Sequence, residues 1–345
     1  MKVAIVGAGL VGKLFAWYLC QQQCEIHIFS HPRAKQNTCA IAAGAMLSPY
    51  AELPLLNPYW FEIAQRSLLW WPKILSTLSL PVHYQRSGTR VVVLPEHGTL
   101  LEQWIQSIKR QLPNFNPIIQ RDKQWSCYIA DEAHLNPRQL LIALSQYLAE
   151  QRIQWHEQVI EEDFLFDGFD WVIECKGLGA KNTLGELRSV RGEMLLLHAP
   201  SINLSQAARF LHPLYGCYIV PQGDHHYMIG ATHQESDSMA AIYVKSIMML
   251  LTGAVLFEPR FKDAALLEAK VGLRPTTNDH LPLIQAGSKK ILVNGLYRHG
   301  FLLAPAIVAD IVTKLCKGEK CEAHEDYLQS SPFVGDDSQP IANGA

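Results

Sequence analysis

The chain starts MKVAIVGAGLVGKLFAWYLCQQQCEIHIFSHP, and these residues leave few folds open. Lys2 to Val6 read as a short buried strand of β-branched and small residues. Gly7, Ala8, Gly9 and Gly12 then form G-x-G-x-x-G ahead of a helical run from Val11 to Cys20. Glycine at the first two places lets the backbone turn tightly and approach a pyrophosphate. The helix N-terminus adds unpaired N–H groups and a partial positive charge, and Gly12 lets the helix pack against the strand. A second strand, Glu25 to Phe29, follows at the spacing of a βαβ unit. The pattern predicts a parallel α/β sheet with a dinucleotide bound at its first turn.

The second strand of such a unit normally ends in Asp or Glu, which holds the adenosine ribose. Here that place belongs to Ser30. A serine hydroxyl can bond a ribose hydroxyl, but without the strength that a carboxylate brings. His31, Arg33 and Lys35 come directly after, and such a cluster also suits the 2′-phosphate of NADP. At this point both readings stand.

At 345 residues the chain exceeds one minimal core and suits two intertwined lobes. A hydrophobic content of 48%, 18% charged residues and a mean hydropathy of +0.02 describe a soluble globular protein with an ample core. The net charge of -2 and pI near 6.7 give no electrostatic footprint for nucleic acid or anionic membrane, so small molecules or protein surfaces are the expected partners. Eight cysteines without a C-x-x-C pair read as reduced, buried thiols, and no metal site is expected. A strand entered at residue 2 leaves no room for a secretory segment, and no apolar window is long enough to span a bilayer, so a cytoplasmic location is expected.

Further along, NTCAIAAGAMLSPYAEL is rich in small residues and suggests a second close approach of backbone to ligand between Thr38 and Leu47. Leu53 to Leu80 is helical in pattern and aromatic, which favours core packing or a domain interface over a substrate wall. His83 to Leu94 alternates like a strand with a turn at Ser87-Gly88, and Thr99 to Leu112 is an amphipathic helix. Asn136 caps a helix with Pro137 at its first position, ahead of a strand ending near Val159. FDGFDWVIECKGLGAKN is a buried strand running into glycines 177 and 179. Arg191 to Thr232 is strand-like, Ser238 to Leu251 helical, and the final element is strand ILVNGLY, loop RHG and helix FLLAPAIVADIVTKLCKG. βαβ pieces at both ends and in the middle, with strand-like inserts, predict a discontinuous Rossmann-like domain from 1–50, 136–190 and 266–325. An antiparallel-sheet substrate domain is then made of 51–135 and 191–265, and 326–345 is a polar tail.

The segments VGAGLVGKLFAWYL, AAGAMLSPYAE, LNPRQLLIAL, ECKGLGAKN, VRGEMLLLHAP, YIVPQGDHHYMIGAT, VGLRPTTNDHLPLI and NGLYRHGFLLAPAIVADIV, in that order and spacing, carry a resemblance over nearly the whole chain. The sequence resembles the FAD-dependent D-amino-acid oxidase superfamily, and within it the glycine oxidases of thiamine biosynthesis; the NADP reading recedes accordingly. The resemblance implies noncovalent FAD with its pyrophosphate along Gly7, Gly9 and Gly12, and Gly177 closing over it. It places Ser30 by the adenosine ribose, Val159 at the adenine by its backbone, and Thr38, Ala43, Gly44 and Met46 around the ribityl chain and flavin. Leu296, Tyr297, Arg298, His299, Gly300, Phe301 and Leu302 would wrap the flavin ring, with the last helix pointing its positive end at the flavin N1–C2=O edge. Arg274, between Gly-Leu and Pro, matches the carboxylate-gripping arginine of the family, with Tyr218, Arg298 and His233 as further substrate contacts.

The implied activity is oxidation of a small amine or amino acid: hydride transfer to flavin N5, imine hydrolysis and reoxidation by dioxygen to peroxide, with no protein acid or base assigned. The alternatives are a flavoprotein dehydrogenase with another electron acceptor and a maturation factor acting on a partner protein in tryptophylquinone biogenesis. Glycine oxidases of this type often self-associate, so a homo-oligomer is expected. The sequence departs from the family at Ser30, at Ala45 between glycine and methionine, at His233 where methionine is common, and at His299 where asparagine is common. These changes bear on the substrate more than on the flavin.

Overall fold

The computed structural model describes residues 1–32, 38–161 and 164–319. Arg33 and Lys35 of the basic cluster, Cys321 and the tail 326–345 lie outside the described residues. Strands and helices are numbered in chain order. A six-stranded sheet runs β17 (Leu283–Ala286), β18 (Lys290–Asn294), β10 (Trp171–Glu174), β1 (Lys2–Val6), β2 (Glu25–Ser30), β9 (Ile153–Glu157), parallel throughout except for the β17–β18 hairpin. Its strands come from three separated stretches of the chain. β1 is buried because Val3, Ala4 and Ile5 meet side chains on both faces, which is what a parallel sheet covered on both sides requires.

The second sheet is mainly antiparallel. It runs β15 (Gln234–Glu235), β11 (Arg188–His198), β14 (His226–Gly230), β13 (Cys217–Gly223), β12 (Ala207–Phe210), β5 (Thr89–Val93), β7 (Trp125–Ile129), β6 (Ile118–Arg121), with β16 (Ala265–Thr276) along the other edge of β11. A small third sheet, β3 (Met46–Leu47), β8 (Ala133–Leu135) and β4 (Tyr84–Gln85), sits between the two. The mixed α/β class with a parallel and an antiparallel sheet is the one the sequence predicts.

Seven α-helices are described: α1 (Leu10–Cys20), α2 (Pro49–Glu52), α3 (Pro58–Leu75), α4 (Gly98–Gln111), α5 (Pro137–Ala149), α6 (Val244–Phe257) and α7 (Gly300–Lys317). None among the described residues is long and apolar enough to cross a membrane. α7 packs between α1 and α3, and the largest core lies under them. The aromatic segment is α3: Trp60 and Trp71 are buried, and Trp71 Nε1 donates to Phe301 O at 3.0 Å, so it is core packing against α7. Asn136 caps α5, its side chain accepting from the N–H groups of Arg138 and Gln139.

The turn expected at Ser87-Gly88 falls between β4 and β5, which enter different sheets: β4 pairs with β8 while β5 joins the large sheet. Two expectations are corrected. The helix expected from Ser238 starts at Val244: the fully buried Arg191 guanidinium takes the carbonyls of Ser238, Ala240 and Ala241, and that holds their backbone out of helix. Of the described cysteines, Cys127, Cys175 and Cys217 are buried, but Cys39 on a 3₁₀ turn and Cys316 in the last turn of α7 are exposed.

α2 is anchored by Glu132, fully buried, whose Oε1 accepts from Tyr50 N (2.8 Å) and Ala51 N (3.1 Å). Burial dominates and pushes its carboxyl up to about 7, against the lowering effect of hydrogen bonds from Thr89, Ala51, Ser48 and Tyr50. In the unfolded chain the group ionises near the ordinary value of 4.5. Below that pH both states hold the proton; as the pH rises toward 7 the unfolded chain releases its proton first, and the folded state loses stability. Urea unfolding followed against pH should show this contribution falling away by at most about 3 kcal/mol between about pH 4.5 and about pH 7. Glu132→Gln keeps the acceptor for Tyr50 and Ala51 and should remove that slope; identical curves for the two proteins would contradict the assignment.

Candidate active site

The first turn is shaped by three glycines with different tasks. Gly7 has φ +116°, and a Cβ there would sit 2.4 Å from the Cys175 carbonyl oxygen, so β1 and β10 meet only over glycine. A Cβ on Gly12 would sit 1.9 Å from Gly7 O. At Gly9 the nearest atom to such a Cβ is Thr38 Oγ1 at 3.7 Å, which leaves the turn open on that side. No side chain caps the N-terminus of α1, and no acidic residue lies in its first turn. The third glycine turn stands beside the first: Gly177 has φ +55°, starts the 3₁₀ turn after β10, and its carbonyl accepts from Asn294 Nδ2 at 3.0 Å.

These groups fit the pyrophosphate of a dinucleotide, with open backbone N–H donors and no competing anion. Ser30 closes β2, buried, and in register with Glu157 of β9, a carboxylate that sequence reasoning missed. Val159 lies two residues beyond the end of β9 and is exposed.

The small-residue segment lies against the antiparallel sheet. A Cβ on Gly44 would touch Met194 Cε, Tyr218 Cε2 and Val220 Cγ2, each at 3.3 Å. Gln222 Nε2 donates to Gly44 O at 3.3 Å. Ala45, the residue that departs from the family, takes the left-handed region at φ +52°, and its carbonyl accepts from Leu135 N. Ala43 caps the preceding 3₁₀ turn, and Met46 opens β3. Thus Thr38, Ala43, Gly44 and Met46 run from the first turn of the parallel sheet to Tyr218.

Arg274 on β16 lies across Gly192 of β11, where a Cβ would come within 2.2 Å of its Nη2. Its Nη1 donates to Thr232 O at 3.2 Å, and it forms no ion pair among the described residues. Arg298 is differently placed. Its Nε donates to Glu52 Oε2 at 2.7 Å and its Nη2 lies 2.6 Å from the same oxygen as an ion-pair contact, His299 Nε2 meets that oxygen at 2.9 Å, and Arg209 Nη1 lies 3.2 Å from Oε1. Burial opposes ionisation of Glu52, yet Arg298, His299 and Arg209 together hold its carboxyl well below the usual range. The loop Leu296–His299 is also tied to β16 by Tyr297 N donating to Pro275 O. His299 caps α7 without a side-chain bond to its N–H groups, no acidic residue occupies the first turn, and His299 Nδ1 is buried without a partner. Gly300, Phe301 and Leu302 then begin α7, with Gly300 facing Leu10 of α1. The positive end of α7 is therefore open toward the same region as that of α1.

His233 follows Thr232, and its Nδ1 lies 2.6 Å from Tyr297 Oη. Burial, then Arg274, lowers its pKa from the ordinary histidine value. Burial raises that of Tyr297. Glu52 and Arg209 were not singled out from the sequence; the string SPYAE ends in Glu52 but gives no sign of its partners, since the ion pairs link residues 157 and 246 positions apart.

A family model for FAD dependent oxidoreductases (DAO) matches residues 2–315. The chain is 32% identical over 324 residues, 91% of this chain and 96% of the other, to a putative thiamine biosynthesis oxidoreductase ThiO of Rhizobium etli. It is 24% identical to a glycine oxidase of Geobacillus kaustophilus, covering 90% and 93% of the two chains. The solved structure of glycine oxidase from that organism superposes with a TM-score of 0.78 at 21% identity, covering 97% of this chain and all of the other. Iminodiacetate oxidase from Chelativorans gives a TM-score of 0.79 at 18% identity, over 94% and 98%. With a family match across nearly its whole described length, the chain belongs to the DAO family of FAD dependent oxidoreductases.

Proposed function

We propose that the protein is an oxidase of small amines or amino acids of the glycine and sarcosine class, with one noncovalent FAD. The observation that carries the reading is Arg274, spread over Gly192 with no carboxylate of its own, on the sheet that presents Tyr218 to Gly44. Arg274, Arg298 and Arg209 set three guanidinium charges against the carboxylates of Glu52 and Glu132, the latter within electrostatic reach of Arg209. The excess positive charge favours a substrate carboxylate. A planar guanidinium can hold both its oxygens, and the Tyr218 hydroxyl can donate to one of them.

When bound, FAD supplies two-electron oxidation, taking hydride from the substrate Cα and delivering the electrons to dioxygen as peroxide. The protein contributes position and charge: Arg274 and Tyr218 fix the carboxylate and so aim the Cα–H, and the open end of α7 favours negative charge on the cofactor. Water then hydrolyses the released imine. Arg298 acts from behind, its fork occupied by Glu52, and orients the loop that carries Tyr297. The parallel sheet with its glycine turns forms the FAD domain, and the antiparallel sheet forms the substrate domain.

Purified protein should be yellow, and acid precipitation should leave the colour in the supernatant; a yellow pellet would mean covalent attachment. Arg274→Ala should raise the KM for glycine or sarcosine on the order of 100-fold, the worth of two charge-assisted hydrogen bonds of about 1.5 kcal/mol each, with flavin content little changed. Gly192→Ala should act in the same direction by lifting the guanidinium while keeping its charge. Steady-state kinetics with unaltered KM in both variants would remove Arg274 from the site.

A further inference from the structure

The contact between Tyr297 and His233 has no part in the reading above. Two distant segments deliver it. His233 follows the residue whose carbonyl accepts from Arg274, and Tyr297 is pinned by its N–H to Pro275 O, next to Arg274 in the chain. Tyr297 takes a left-handed φ of +52° and stacks on His280, itself left-handed at φ +61°, with ring centroids 4.7 Å apart. Such conformations are unfavourable for non-glycine residues and gather where function needs a fixed side chain. The strain here places a phenol.

The Tyr297 ring is buried, and its hydroxyl is within electrostatic reach of Arg298, Arg274, Glu52 and Tyr218. It therefore stands at the arginine wall where the substrate carboxylate is proposed to bind. His233 stands behind it with half of its side chain exposed, 50%. A buried hydroxyl backed by a half-exposed imidazole, 2.6 Å apart, is a path for a proton from the wall to water.

An α-amino acid near neutral pH carries an ammonium group, which has no lone pair to form the C=N bond as hydride leaves Cα. The proton must go first. We propose that Tyr297 and His233 form the exit for that proton. The substrate N–H bond breaks as a new Oη–H bond forms on Tyr297, whose own proton passes to His233 Nδ1; the imidazolium then releases its Nε2 proton to water. The phenol ends neutral, the amine has its lone pair, and no electron moves. In these terms Tyr297 is the catalytic residue and His233 acts through it. The inference rests on the amine-oxidase reading.

The charges around the pair suit an acceptor. Burial first, then Arg274 from β16, with smaller effects of His280 and Arg298, disfavours a lasting imidazolium on His233, while Glu235 Oε1, 4.0 Å from Nε2, offsets part of that. The ring is thus neutral and able to accept at neutral pH. On Tyr297 the positive charges of Arg298 and Arg274 act against burial and the negative charge of Glu52.

The test is anaerobic rapid mixing of the FAD-loaded protein with glycine and with sarcosine from about pH 5 to about pH 10, reading flavin bleaching, for the unaltered protein, His233→Gln and Tyr297→Phe. Binding of glycolate, a carboxylate without an amine, is read in parallel from the flavin spectrum. Both variants should keep their flavin and their glycolate affinity. They should lose about 100-fold in the limiting reduction rate at neutral pH and recover it as the pH climbs toward the alkaline pKa of the substrate amine itself. A rate lowered equally at every pH would mean a structural role only and would overturn the proposal, as would profiles superimposable on that of the unaltered protein. If no amine bleaches the unaltered protein, the oxidase reading falls and the proton path with it, an outcome distinct from altered profiles in a working enzyme.

Discussion

One carboxylate ties the two sheets together. Glu52, at the end of α2, holds Arg298 and His299 from the loop leading into α7 and Arg209 from the antiparallel sheet. Residues far apart in the chain thereby share one ionic centre. The centre is partly buried, so removing one partner would leave the others with charge that water compensates only in part. α2 is in turn held by Glu132 through the N–H groups of Tyr50 and Ala51. Position therefore passes from β8's approach, through α2, to the loop that sets Tyr297 and to the open end of α7.

On the antiparallel sheet the shaping is done by missing side chains. Gly192 makes room for Arg274, Gly44 lets the backbone rest against Tyr218, and a Cβ on Gly230 would meet Met194 at 2.6 Å and Tyr218 at 3.2 Å. A guanidinium and a phenol can lie close to the backbone only where no Cβ stands in the way. The buried Arg191–Glu193 pair on β11 does a different job: it organises the segment before α6 by accepting and donating along Ser238 to Tyr243. The two arginines on the paired strands β11 and β16, 191 and 274, are thus differently placed, one satisfied inside the protein and the other without an ion pair among the described residues.

Much of this was legible in the sequence because it is written locally. Glycines 7, 9 and 12 between a branched strand and an apolar helix, and Asn136-Pro137 at a helix start, each state their geometry within a few residues, whereas Arg274 stood out only through the family resemblance. What was not legible depends on partners remote in sequence. Nothing near Ser238 announces that Arg191 will claim its carbonyls, so the start of α6 was placed early. The alternation of His83–Leu94 is true of both halves, yet only the tertiary pairing shows that they enter different sheets. Arg298 reads as a substrate or flavin contact, and its pairing with Glu52, 246 residues away, has no local signal. His233 reads as a substrate contact, and nothing near it in the sequence announces Tyr297.

Separated stretches of chain, the turns at Gly7 and Gly177 and the start of α7, together provide the place for one FAD. Titration of FAD into the colourless apoprotein, followed by quenching of flavin fluorescence and by the rise in melting temperature, tests that convergence most directly. Saturation at one FAD per chain with a clear gain in thermal stability is the expected result. A titration with no quenching and an unmoved melting temperature would contradict it.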